Sequence, residues 1–223
     1  MRKTFGVSTQ HYLFSVQTFA KAILSAGGDE YDYALRDRAT KQVFADVASG
    51  DSELGVIFKT TQNEAVIDAA LEEQGLEFHE VAQSAPRVAL PASHPLINST
   101  SLTLDDLEDY PYVYFSQGDD IPWEFYEEAL ADVPRKKLVA ATDRASLSEL
   151  ICALNGYTVT SGILVGITDG SLLKTIPLDT DVKLKLGYVT RKGQELDDFG
   201  KRFAEILGKE PGALRTPVMA APL

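Results

Sequence analysis

The residues whose types and spacing could do chemistry begin with Ser8, Thr9 and Gln10. They close a β-branched and aromatic run starting at Thr4 and stand just before a stretch of helical apolar spacing. If they end a strand and lead into a helix, two hydroxyls, an amide and the first free helix N–H groups share one space. Such a space accepts a small polar or anionic ligand. A hydroxyl there can equally serve as a plain helix cap. Similar groups recur downstream: Thr40 after Arg36, Asp37 and Arg38; Thr60 and Thr61 before Gln62; Phe115 and Ser116 before Gln117; Thr142 before Asp143; and Thr160 with Ser161. Thr40 can be a cap or a ligand contact, and Phe115 a core residue or a wall of the site. Arg36 or Arg38 could balance a carboxylate, or simply be solvated. Catalysis finds little support. Ser8 with His11, and Asp143 with Ser161, can be drawn as nucleophile and base. Neither pair lies in a G-x-S-x-G elbow, and no nucleophile, base and acid fall at a recognisable spacing. His11, His79 and His94 lack metal-ligand spacing. The single cysteine, Cys152, reads as a small buried hydrophobe within Leu150 to Leu154, so no metal or cofactor is expected.

The elements that must position these groups can be read from hydrophobic periodicity. A strand from Thr4 leads to a helix over Tyr12 to Leu24, closed by Gly27 and Gly28. A second strand over Tyr31 to Arg36 precedes a helix from Thr40 to Ala48. A third over Leu54 to Phe58 precedes a helix after Asn63. Three βα units in succession predict a parallel sheet whose strand ends share one edge, the place where α/β folds bind ligands. Leu76 to Leu90 reads as one long extended segment broken at Pro86. A second series comes next: a short helix over Thr103 to Leu107, a strand over Tyr112 to Phe115 and a helix near Pro122 to Leu130. After these come a strand over Leu138 to Ala141, a helix over Ala145 to Leu154 and a strand over Tyr157 to Thr160. An extended run over Val182 to Thr190 and a helix over Leu196 to Leu207 complete the pattern, and the end from Glu210 is expected to be irregular. The predicted architecture is two Rossmann-like α/β lobes joined by two crossing strands. Lobe I comprises residues 1–85 and 187–223, lobe II residues 86–186, with the ligand cleft between them. The 223 residues, 44% hydrophobic and 24% charged, suffice for two such lobes. A net charge of −12 argues against contact with the phosphate backbone of DNA or with an anionic membrane. No apolar run is long enough to span a bilayer, and no secretory leader is legible, so a cytoplasmic location is expected.

Several segments resemble the effector-binding domain of LysR-type transcriptional regulators, which has a type II periplasmic-binding-protein fold. Ala39 to Gly55 is similar to the family's second helix and the Gly-x-x-Asp-Leu strand after it, with Glu53 where Asp is usual. Val88 to Leu96 is similar to a crossing strand with its His94-Pro95-Leu96 turn. Leu102 to Leu107 with Tyr110-Pro111 resembles the family's next segment, and Leu154 to Val159 matches a Gly-rich segment more loosely. The resemblance implies that a small-molecule effector in the cleft controls transcription allosterically, without catalysis or cofactor. It implies effector contacts at Ser8, Thr9, Gln10, Thr40, Thr60, Thr61, Phe115, Ser116, Thr142, Thr160 and Ser161. A homodimer is also implied, with Tyr12 to Leu24 packed on the partner's Trp123 to Leu130, and a tetramer is an option for a full-length protein. The family's winged helix-turn-helix has no counterpart in these residues, so DNA is expected to be reached only through such a head. The alternative is a stand-alone solute-binding protein of the same fold.

Overall fold

The computed structural model describes residues 3–163 and 172–209. The first lobe begins with β1 (Lys3–Thr9), α1 (Leu13–Ala26), β2 (Tyr31–Asp37), α2 (Thr40–Ser49), β3 (Leu54–Thr60), α3 (Glu64–Glu73) and β4 (Leu76–Ser84). β1 pairs in parallel with both β2 and β3, so the ends of the first three strands lie on one edge. The chain leaves this sheet after Ser84 and re-enters it with β10 (Leu184–Arg191), which runs antiparallel between β3 and β4. α5 (Asp198–Lys209) comes after it.

Alternation along β1 decides what each face receives. Phe5 and Val7 point to the side where α1 and α5 pack, in a core with Phe14, Phe19, Phe199 and Phe203. Burying an aromatic of this kind stabilises by about 1.5–3 kcal/mol. Gly6 and Ser8 point to the opposite side, where α2 lies close. Gly55, beside Ser8 on β3, has no room for a side chain. A Cβ there would sit 2.5 Å from Val43 Cγ1 and 3.2 Å from Val47 Cγ2. The small residues of β1 and β3 thus seat α2, and with it Thr40, against the strand ends.

The second lobe, between β4 and β10 in the chain, has β5 (Arg87–Pro91), β6 (Tyr112–Phe115), β7 (Leu138–Ala141), α4 (Arg144–Leu154), β8 (Thr158–Thr160) and β9 (Leu173–Pro177). β5 lies between β8 and β9, both antiparallel to it, and β6 pairs in parallel with β7. A bridge between Tyr112 and Tyr157 joins the two groups. β9 has no counterpart among the elements expected from periodicity. The extended segment over Leu76 to Leu90 is two strands in different sheets, parted at Ala85-Pro86, where proline cannot donate to a ladder.

Three expectations are corrected. Pro122 to Leu130 is not a helix: it holds only a 3-10 turn at Trp123–Phe125. Phe125, Glu127, Glu128, Ala129 and Leu130 are all buried, and Leu130 has φ +60°. A helix turns 100° per residue and would push part of the run from Glu127 to Leu130 into solvent, so the segment threads the interior as irregular chain. Thr103 to Leu107 is likewise a 3-10 turn, over Asp105–Leu107. Cys152 is exposed, because α4 buries Leu147 and Ile151 and the next residue points away. The expected irregular end from Glu210 lies outside the described residues.

Candidate functional site

Ser8, Thr9 and Gln10 are 0% exposed, and their polar atoms are turned on one another and on neighbouring elements. α1 starts at Leu13 with Tyr12 in the cap position and no side-chain cap, so neither hydroxyl caps it. Ser8 Oγ donates to Asp46 Oδ2 at 2.5 Å and meets Ser52 Oγ at 2.9 Å. Thr9 Oγ1 donates to the Gln10 carbonyl at 2.8 Å. Gln10 accepts the Phe58 N–H at 2.7 Å and donates to Thr40 Oγ1 at 2.7 Å. The Thr40 N–H in turn donates to Gln117 Oε1 at 2.8 Å, which carries the network into the second lobe. The arginines considered as ligand cations are engaged nearby: Arg38 Nε pairs with Asp46 at 3.0 Å, and Arg36 donates to Ser52 Oγ at 3.2 Å.

The segment between β6 and β7 brings in a residue the sequence did not single out. Glu127, 3% exposed, accepts the His11 N–H on Oε2 at 2.8 Å. Its Oε1 takes Gln117 Nε2 at 3.0 Å and meets His11 Nδ1 at 2.8 Å, while the Tyr12 hydroxyl donates to its carbonyl at 2.9 Å. Burial pushes the His11 pKa down, but the hydrogen bond and charge of Glu127, helped by Asp37, outweigh it and leave the pKa raised. The His11 ring lies flat on Phe115, with centroids 4.3 Å apart. Adjacent Glu128 accepts the Phe115 N–H on Oε1 at 2.7 Å, while its Oε2 is buried without a partner among the described residues. Burial, then the neighbouring Glu127 charge, raises the Glu128 carboxyl well above the usual range. Nothing in the spacing of two glutamates in Tyr126-Glu127-Glu128 signalled this. The only available clue was a charged pair inside an otherwise apolar stretch.

His11 and these glutamates border a cleft of about 90 Å³, partly open to solvent. Its walls are His11 to Leu13 from the first lobe and, from the second, Phe115, Arg144, Leu147 and Thr158 to Thr160. Arg144 donates through Nη2 to Asp37 at the end of β2, and its Nη1 is buried without a partner among the described residues. Of the expected contacts, Phe115 and Thr160 line this cleft. Ser8, Thr9, Gln10 and Thr40 lie in the network behind it. Ser116 accepts the Gly118 N–H at 3.4 Å, and the buried Ser161 hydroxyl accepts the Ile163 N–H at 3.4 Å. Thr60 is bonded to Asn63, Thr61 Oγ1 accepts the Lys183 N–H at 3.2 Å, and Thr142 is exposed; none of the three lines the cleft. Among the described residues no cluster of three or more His, Cys, Asp or Glu could hold a metal, and no helix is long and apolar enough to cross a membrane.

Residues 30–211 match the LysR substrate binding domain. The chain belongs to that family. The LysR substrate-binding domain is the effector-binding, non-enzymatic part of transcriptional regulators, and its members act as oligomers. Similar solved structures include the oxidised form of OxyR, with a TM-score of 0.64 at 17% identity over 97% of this chain and 99% of that one. The effector-binding domain of QuiR in complex with shikimate aligns with a TM-score of 0.61 at 16% identity over 94% and 97%. HinK, a LysR family regulator from Pseudomonas aeruginosa, aligns at 0.64 and 12% identity over 96% of this chain and 71% of its own. At such identities the likeness speaks for the shared fold: two α/β lobes of the type II periplasmic-binding-protein kind. No curated protein matches the chain in sequence.

Proposed function

We propose that this LysR-type domain binds a small polar or anionic metabolite in the cleft between its lobes, and that occupancy controls transcription through a DNA-binding head. The observation that carries this reading is the make-up of the cleft. A strand-end loop of the first lobe faces Phe115, Arg144 and Thr160 of the second, so one molecule could touch both. The buried Arg144 Nη1 offers a charged donor to an anionic group, and Leu147 and Val159 offer apolar wall to the rest of the ligand. QuiR, of the same fold, is held with shikimate. Ser8, Thr9, Gln10 and Thr40 act from behind, with the Thr40 N–H holding Gln117, and Phe115 and Thr160 touch the ligand. Because the lobes are joined at Ser84 to Arg87 and Pro177 to Leu184, differential binding to one arrangement shifts their relative position. The assembly is a homodimer in which α1, with Leu24 83% exposed, meets the partner. The expected counterpart over Trp123 to Leu130 is not a helix; among the described residues the α-helix of the second lobe is α4, where Leu154 is exposed.

A thermal-shift screen of a metabolite library tests the reading. A carboxylate or polar metabolite should raise Tm in a saturable way, and Arg144→Ala should remove the response while the domain stays folded. A library without a single saturable hit, or hits indifferent to Arg144, would sink it.

A further inference from the structure

The donors at the end of β1 already hold a carboxylate. The His11 N–H, the His11 ring and the Gln117 amide converge on the two oxygens of Glu127 at 2.8–3.0 Å, away from water. This is the geometry of an anion site: donors preset around one charge, strengthened by the low dielectric about them. The charge comes from the chain itself, on an irregular segment. Its other polar contacts with the first lobe among the described residues include Asn63 Nδ2 to the Glu124 carbonyl at 2.8 Å and the Tyr12 hydroxyl to the Glu127 carbonyl at 2.9 Å. The cleft opens directly beside it, with Arg144 and Glu128 on its rim.

We propose that this is an anion-binding site whose resident ligand is Glu127, and that an effector binds by placing its own carboxylate on the His11 and Gln117 donors and expelling Glu127. The site itself stands independently; the expulsion rests on the proposed effector binding in the cleft. Glu127 is held in the site by its own chain, so a simple free carboxylate that brings no further contacts competes with it poorly. A ligand succeeds only by adding contacts from Arg144 and the apolar walls. That requirement makes Glu127 a filter selecting carboxylates with a body that fits the cleft over small anions at large. Expulsion also breaks the bonds by which Glu127 ties its own segment of the second lobe to His11 of the first, while the Thr40 N–H bond to Gln117 stays in place. The same event that admits the ligand therefore frees the Glu127 segment from the first lobe, while the ligand takes its place between His11 and Gln117.

Glu127→Ala removes a CH2–COO− unit, and acetate is its free equivalent. At pH 7 and constant ionic strength, acetate should raise the Tm of Glu127→Ala by several degrees and saturate, while acetamide and chloride do not, and the wild-type domain should not respond. If Glu127→Ala folds and acetate does nothing to it, or moves it and wild type alike, the site is refuted. Should that variant not fold, Glu127→Gln keeps the shape while weakening the pairing. Acetate should then shift the ¹⁵N resonances of the His11 ring in the variant and leave wild type unmoved, and equal behaviour of the two refutes the site. Any carboxylate that wild type does bind should bind Glu127→Ala more tightly; weaker binding would make Glu127 a ligand contact and overturn expulsion. These acetate arms use no metabolite, so an empty library screen and a failed rescue point to different errors.

Discussion

Glu128 and Glu127 are neighbours on one buried segment, yet their surroundings assign them opposite roles. Glu127 is surrounded by donors, whereas Glu128 accepts the Phe115 N–H on one oxygen and keeps the other without a partner among the described residues. With burial and the Glu127 charge both holding its pKa up, Glu128 remains protonated in the folded state over a range where the unfolded chain ionises from about 4.5 upward. A raised carboxyl contributes stability that is fully present below the unfolded value and is lost as pH rises through the folded value. His11, also raised, has the same sign starting from 6.5, whereas His94, lowered by burial, works in the opposite sense around that pH. Comparing Glu128→Gln with wild type removes both histidines from the result. The variant's Tm should exceed wild type's by a margin that grows as pH is raised above 4.5, measured by scanning fluorimetry between pH 5 and 8. A constant margin would mean that Glu128 is ionised in the fold. Ser8, Thr9 and Gln10 were legible as a polar strand end, but not as residues already satisfied. Hydroxyls and amides declare their chemistry in sequence, whereas their partners, such as Asp46 and Thr40, stand 30 or more positions away.

At the scale of elements, the site depends on how closely α2 approaches β1 and β3. Gly55 permits that approach, and the Val43 and Val47 side chains fill the space where its Cβ would be. Gly55→Ala should cost about 1–3 kcal/mol in urea unfolding, as overpacking in a dense interior does. An unchanged midpoint would show that α2 can move away freely. The helices and strands of the first lobe were readable because each buries one periodic face, as α1 does with Phe14, Thr18 and Ala22. The segment over Pro122 to Leu130 was misread for the same reason. Its apolar and charged residues imitate helical spacing, but Phe125 and the run from Glu127 to Leu130 are buried together, and no helical period buries four residues in succession.

For the whole molecule, the net charge of −12 opposes self-association. A dimer must therefore draw on apolar surface, and Leu24, at 83% exposure, is the most exposed large apolar side chain among the described residues. Sedimentation should give a dimer for wild type and a monomer for Leu24→Glu. A wild-type monomer across the micromolar range would rule the homodimer out.

The sequence by itself determined the two α/β lobes, the parallel strand ends, the family likeness and the polar character of Ser8 to Gln10. All of these rest on local periodicity and on residue types read a few positions at a time. Only the tertiary structure decided that Glu127 meets His11, 116 residues away, and that the expected ligand wall is closed behind an internal carboxylate. That pairing exists because an irregular segment is buried between two lobes. Its course is set by the space those lobes leave, which no local pattern encodes.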